Sequence, residues 1–347
     1  MSIFKLGKIR ELFVPKSIRR FCSENLSLEE NQLAFLRSIS NLQMYEHLRA
    51  DQAGRRERVA AAKRMAALTT PELPVVFITD SNYLRPTIVA ISSLLRHRRE
   101  STKYRVFVLG TGLTEADQKS LSKISEVVTL LEMNRMQWDG LLEHRHVSTA
   151  ALFKFQLPTI FRQYDKILYL DSDIVVREDL TELFAVDLDG LYAAAVSDPV
   201  AMLRDHHECR LKRSRYFNSG VMLLNLEKMR CDNMTQMLID EKMKDTSNFF
   251  MDQDVLNIVF QDKVAKLPPK FNWMEGNVAA TRLTFEKLSK LYGISQGQLR
   301  IWAFNPAIEH LSNINKPWNS NEAKRAERWD EEKIIADLWL EDFTGEQ

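Results

Sequence analysis

The sequence predicts an α/β protein, with a mostly parallel sheet flanked by helices, preceded by a helical extension and followed by one more helix. Two observations carry this. From Val75 onward, short β-branched runs alternate with helical segments, and one of those runs, Ile167–Leu170, ends abruptly in Asp171-Ser172-Asp173. Strands that alternate with helices pair in parallel and are covered on both faces, so they read as continuous apolar runs.

The elements follow in order. Residues 1–71 are rich in Leu, Ala, Arg and Glu, place Leu33, Leu36 and Ile39 at helical spacing, and close on Pro71 and Pro74; they are expected to form a helical N-terminal extension. Its first residues put Ile3, Leu6, Ile9, Leu12 and Phe13 on one apolar stripe flanked by basic residues. Such a stripe suits peripheral contact with a membrane surface or a partner, and equally a helix packed on its own core. The main domain is expected over 72–318. It opens with VVFIT, a helix over Pro86–Leu95, the strand YRVFVLG and a helix over Thr114–Ile124, which Thr114 caps with Asp117 at the third position. VVTLLE, a helix over Ala150–Phe161 and KILYLDSD come next. LYAAAVSD, FNSGVMLLNL, one helix from Glu227 to about Lys244 and a helical DQDVLNIVF follow, before FNWM and NKPW. Residues 319–347 are expected to form a tail with one helix from about Ala323 to Leu340, carrying 9 acidic against 4 basic side chains.

Composition removes several classes of function. The 347 residues, 45% of them hydrophobic, can bury a sizeable core. Lys plus Arg (48) nearly cancel Asp plus Glu (47), which gives no argument for nucleic acid as a partner. The basic excess lies at the front: residues 1–71 hold 13 basic and 7 acidic side chains, +6, against 35 and 40, −5, in the remainder. Cys22, Cys209 and Cys231 form no Cys-x-x-Cys pair and no disulfide framework, as in a reducing compartment. No apolar run is long enough to span a membrane. Lys5, Lys8 and Arg10 interrupt the apolar centre that a signal peptide needs. A cytoplasmic location, including the inner face of the membrane, is therefore expected.

Three constellations carry chemistry. The carboxylates of Asp171 and Asp173 emerge where a buried parallel strand reaches the sheet edge, and ligands of open α/β sheets bind at that edge. Two carboxylates one residue apart can reach one divalent cation, and oxygen ligands suit Mg²⁺ or Mn²⁺. His310 and Lys316 in HLSNINKPW offer an imidazole ligand and a cation for phosphate. Thr79-Asp80-Ser81-Asn82-Tyr83 follows the first strand; Asp80 and Asn82 can hydrogen-bond a base or ribose, and Tyr83 can stack on the ring. The same five residues also read as a plain strand-to-helix turn capped by Ser81 or Asn82. There is no glycine-rich phosphate loop. Asp198, Asn218 and the pair Asp252-Gln253 are polar at the boundaries of hydrophobic segments, where caps and turns are common.

FITDSNY, STAALFKFQLP, DKILYLDSD, FNSGVMLLNL, FMDQDVLN, FNWM and HLSNINKPW occur in the order found in glycosyltransferase family 8, and from Val75 to Trp318 the chain resembles that family. The resemblance implies a GT-A fold, which is a Rossmann-like mixed, mostly parallel sheet, and a retaining hexosyltransferase. The donor would be a uridine diphosphate hexose, galactose or glucose, and the acceptor a glycan or glycolipid of a surface polysaccharide. By the same resemblance Asp171, Asp173 and His310 would ligate Mn²⁺. Ile78, Asp80, Asn82 and Tyr83 would contact uridine, with Lys154, Ser172, Asn313 and Lys316 completing the donor side. Asp198, Asn218 and Gln253 would face the transferred sugar, with Asp252 supporting that pocket. The family often carries Arg where Lys154 stands, and lysine supplies a point charge instead of a planar fork.

Two other readings compete. Asp171-Ser172-Asp173-Ile174-Val175 also fits the nucleophile pattern of haloacid dehalogenase-type phosphohydrolases, although that motif usually lies on the first strand of its domain and here about three strands precede it. A non-catalytic nucleotide-sugar binder is the second alternative.

Overall fold

The computed structural model describes residues 72–133, 149–199, 216–244, 252–274, 278, 283–312, 316–318 and 326–342. Expectations for residues 1–71, including the stripe from Ile3 to Phe13, and for Asn313 lie outside the described residues.

Strands β1 (Leu73–Asp80), β2 (Tyr104–Thr111), β3 (Val128–Glu132), β4 (Lys166–Leu170), β6 (Ala193–Ser197), β7 (Phe217–Asn225) and β8 (Val264–Lys266) form one sheet in the order β3-β2-β1-β4-β7-β6-β8. Pairing is parallel except at β7, which runs against both β4 and β6. The short strands β5 (Ile174–Val176) and β9 (Ile308–His310) pair antiparallel as a second sheet. The sheet is buried on both faces: Val75, Val76 and Phe77 are all fully buried, which is why β1 reads as an unbroken apolar run instead of an alternating one.

Helices α1 (Leu84–Arg96), α2 (Glu115–Ile124) and α3 (Thr149–Ile160) connect the first four strands. The α2 cap is the expected one: Thr114 accepts from the Asp117 amide, and the Asp117 carboxylate accepts from the Thr114 amide. At the α1 start the turn is present, but the cap that the alternative reading placed on it is not. Neither Ser81 nor Asn82 caps it; Asp80 Oδ1 instead accepts from the amides of Asn82 (2.9 Å) and Tyr83 (3.0 Å), a turn that short carboxylates favour.

After α4 (Thr181–Phe184), the single helix expected from Glu227 to Lys244 is two, α5 (Leu226–Cys231) and α6 (Met234–Lys244). Asn233 between them has φ 52°, a left-handed conformation that asparagine tolerates better than most residues and that ends a right-handed helix. Then come α7 (Asp252–Phe260), α8 (Phe285–Tyr292), α9 (Gln296–Phe304) and α10 (Ala326–Asp342). Helix α10 packs on α1, burying Trp329 and Ala336. Glu332 of α10 is almost fully buried and is paired with Arg96 of α1, as a buried carboxylate must be. No helix among the described residues is long and apolar enough to cross a membrane.

Candidate active site

Six of the seven strands of the large sheet point one way, so the ends of β1, β4 and β6 share an edge with the start of the reversed β7. Asp80, Asp171, Asp198 and Asn218 sit at these four positions. The sequence separates Asp171 from His310 by more than a hundred residues; strand pairing removes that distance. Ile174 of β5 faces His310 of β9, and the Leu311 amide donates to the Asp173 carbonyl at 2.8 Å. The ligand atoms of Asp171, Asp173 and His310 consequently all lie within 4.8 Å of one another, with His310 Nε2 3.2 Å from Asp173 Oδ1 and 3.9 Å from Asp171 Oδ2.

These residues suit a divalent cation. Two carboxylates and one imidazole are ligands that Mn²⁺ accepts, and the backbone leaves them room: a Cβ on Gly220 would overlap His310 Cε1 and come 2.7 Å from Asp171 Oδ2. Two lysines flank the pair. Lys316 Nζ is 2.5 Å from Asp173 Oδ2 and also donates to the Leu311 carbonyl. Lys154 Nζ, on α3, is 3.3 Å from Asp171 Oδ1 and 2.6 Å from Asp252 Oδ2. Burial disfavours the charge on Lys154, yet Asp171 and Asp252 hold its ammonium above the ordinary lysine range. Burial likewise opposes the Asp173 charge, and His310 and Lys316 overcome it, holding that carboxyl well below the usual range. The phenol of Tyr169 donates to Asp171 Oδ1 at 2.6 Å; burial first and Asp171 second push its pKa well up, so it remains a donor.

On one side of the triad lies the turn after β1. Ser172 Oγ donates to the Ile78 carbonyl at 3.0 Å and lies 2.8 Å from Thr87 Oγ1, which pins the Asp-Ser-Asp turn to α1. Ser81, Asn82 and Tyr83 are exposed, and Tyr83 meets Trp318 edge to face at 6.0 Å between centroids. Trp318 in turn rests on Trp329 of α10, at 5.3 Å.

On the other side the polar groups are buried. Asp198, Asn218 and Gln253 expose 4%, 7% and 7% of their surface. Gln253 Nε2 donates to Asp198 Oδ2 at 3.1 Å, and Gln253 Oε1 accepts from Asn218 Nδ2 and the Ser219 amide, both at 3.0 Å. Asp252 does not join this chain; it pairs with Lys154 and accepts from Ser219 Oγ.

Thus the structure gathers every expected site residue among those described. Four contributors escaped the sequence reading: Tyr169, Thr87, Gly220 and Asn272. Two had a usable signal. Tyr169 is two residues from Asp171 on a strand, hence on the same face, and a glycine inside a strand marks close approach of another group.

Comparison with known proteins bears on the fold and the family. General stress protein A of Bacillus subtilis (strain 168) is 28% identical over 262 residues, covering 71% of this chain and 87% of that protein. Lipopolysaccharide 1,2-glucosyltransferase of Escherichia coli (strain K12) is 26% identical over 288 residues, covering 76% and 84%. The chain also matches longer glycosyltransferases of Streptococcus pneumoniae, GlyF, GlyE and GlyB, of which it spans 58%, 56% and 60%. The crystal structure of galactosyltransferase LgtC in complex with donor and acceptor sugar analogs superposes with a TM-score of 0.64 at 27% identity, covering 76% of this chain and 96% of LgtC. The fold is GT-A, and the phosphohydrolase reading of Asp171 gives way. The Glycosyl transferase family 8 profile matches residues 74–322, well over half of the chain, and the protein therefore belongs to glycosyltransferase family 8.

Proposed function

We propose that this glycosyltransferase is a retaining, Mn²⁺-dependent enzyme that moves a hexose, galactose or glucose, from a uridine diphosphate sugar to a glycan or glycolipid acceptor in surface polysaccharide synthesis. The observation that carries the reading is the triad of Asp171, Asp173 and His310, with ligand atoms within 4.8 Å of one another at the sheet edge and a lysine beside each carboxylate.

Breaking the bond from anomeric carbon to phosphate leaves negative charge on the diphosphate and positive charge on the sugar ring. A bound Mn²⁺ supplies Lewis-acid stabilisation of that leaving group. Lys316 adds a fixed cation to the same region. Ile78, Asp80, Asn82 and Tyr83 hold the uridine, and Ser172, Lys154 and Asn313 complete the donor side. Asp198, Asn218 and Gln253 orient the hexose. Gln253 is an amide whose oxygen already accepts two hydrogen bonds, a poor nucleophile, so its part is orientation. Asp252 holds Lys154 in place. The named activities of these relatives, a lipopolysaccharide glucosyltransferase and a galactosyltransferase, support a hexose and a surface glycan. In this reading 72–318 is the catalytic domain, 319–347 its C-terminal tail, and the basic extension 1–71 approaches the inner membrane face, where anionic lipid attracts basic segments.

The test is a thermal-shift and product assay with Mn²⁺ and either uridine diphosphate glucose or galactose. Stabilisation by uridine diphosphate with Mn²⁺, and release of hexose from one of the two donors, is expected. No shift with uridine diphosphate, together with hydrolysis of p-nitrophenyl phosphate, overturns the proposal.

A further inference from the structure

The orientation of the His310 ring is fixed by a relay of amides that begins at the backbone of β7. The Gly220 amide, which can only donate, points at Asn218 Oδ1 at 3.0 Å, and the Ser219 amide points at Gln253 Oε1 at 3.0 Å. These two backbone donors determine which way each side-chain amide faces, a matter otherwise left to the hydrogen-bond network. With Asn218 Oδ1 accepting, Asn272 must present Nδ2 to it, at 2.8 Å. Asn272 Oδ1 is then the atom that faces His310 Nδ1, also at 2.8 Å. An amide oxygen only accepts, so Nδ1 carries a hydrogen and Nε2 is the ring atom turned toward Asp171 and Asp173, where a metal would be taken. Asn272 is 1% exposed and His310 3%, so water does not substitute for either partner.

We propose that Asn272, which lies in the FNWM segment and carries no role in the reading above, is a positioning residue that orients the His310 ring for metal binding and couples the metal to the hexose pocket through Asn218. The chain of contacts runs from His310 through Asn272 and Asn218 to Gln253 and Asp198. Reorienting any link obliges its neighbours to exchange donor for acceptor. The inference rests on the metal site proposed above.

The test uses the full chain labelled with 15N-histidine, together with Asn272→Ala and Asn272→Asp variants. In metal-free wild-type protein, long-range 1H–15N spectra are expected to show His310 protonated at Nδ1. Outer-sphere partners of ligating histidines commonly change metal affinity about 10–100-fold, and Asn272→Ala is expected to raise the Mn²⁺ dissociation constant within that range. Asn272→Asp still accepts from Nδ1 but cannot donate to Asn218. It is expected to hold Mn²⁺ within a few-fold of wild type while losing the extra affinity that the hexose adds to uridine diphosphate. A His310 that carries no hydrogen on Nδ1 in the wild type overturns the inference, as does an Asn272→Ala variant that binds Mn²⁺ with undiminished affinity. If Asn272→Ala does not fold, the wild-type spectrum and Asn272→Asp decide. Wild-type protein that binds no Mn²⁺ defeats the proposed function itself, which separates the two failures.

Discussion

The two flanks of the carboxylate pair are built on opposite plans. Toward the β1 turn, Asn82 and Tyr83, which would meet a nucleotide, are exposed, and backbone bonds to Asp80 hold them. Toward α7 and β7, the side chains that would meet a hexose are buried and hold one another. A buried polar network is stable only when each member is satisfied, so the hexose flank is set before ligand arrives. The β1 turn instead leaves the ring of Tyr83 exposed beside Trp318.

Substitutions can break this contrast. Asp173→Asn, at the shared centre, is expected to cut transfer about 10²–10³-fold, roughly 2.7–4 kcal/mol of barrier, measured as kcat at saturating donor; full activity at limiting Mn²⁺ would end the metal assignment. On the hexose flank, Asn218→Leu strands the Gly220 amide and Asn272 Nδ2, and unpaired buried groups cost about 1–3 kcal/mol each. A fall in melting temperature of several degrees should accompany lost transfer, whereas unchanged melting would show that this flank is not preassembled. Tyr83→Ala tests the other flank: the melting temperature should hold within about 0.5 kcal/mol of stability while KM for the donor rises about tenfold, roughly 1.4 kcal/mol. If Tyr83→Ala lowers melting as much as Asn218→Leu, the two flanks do not differ. Ser81→Ala, exposed on the same turn, should change KM less than twofold in a steady-state assay.

Sequence disclosed the parallel sheet because both faces are covered and β1, β2 and β4 read as apolar runs. It disclosed Asp171 and Asp173 because a run of four apolar residues ended on two acids. It did not disclose the network, since Asn272 and Asn218 lie far apart in the chain, and no period in the sequence records that their amides face each other. The break at Asn233 was hidden for a different reason: helical spacing of the apolar residues continues across it, and only the backbone angle shows that the helix stops. Lys154 was legible as a cation in a helix. That it ties Asp171 to Asp252 needed three elements assembled.

The reversal of β7 reaches further than the placement of Asn218. Since β6 ends and β7 begins on one edge, with the Asp198 amide donating to the Tyr216 carbonyl at 2.9 Å, the chain leaves and rejoins the sheet beside its own chemistry. A connection anchored so can lengthen, shorten or change composition without altering the register of any strand, because neither end has to cross the sheet. Strand pairing alone thereby fixes the edge that carries Asp171, Asp198 and Asn218, whatever the length of the stretch that joins β6 to β7.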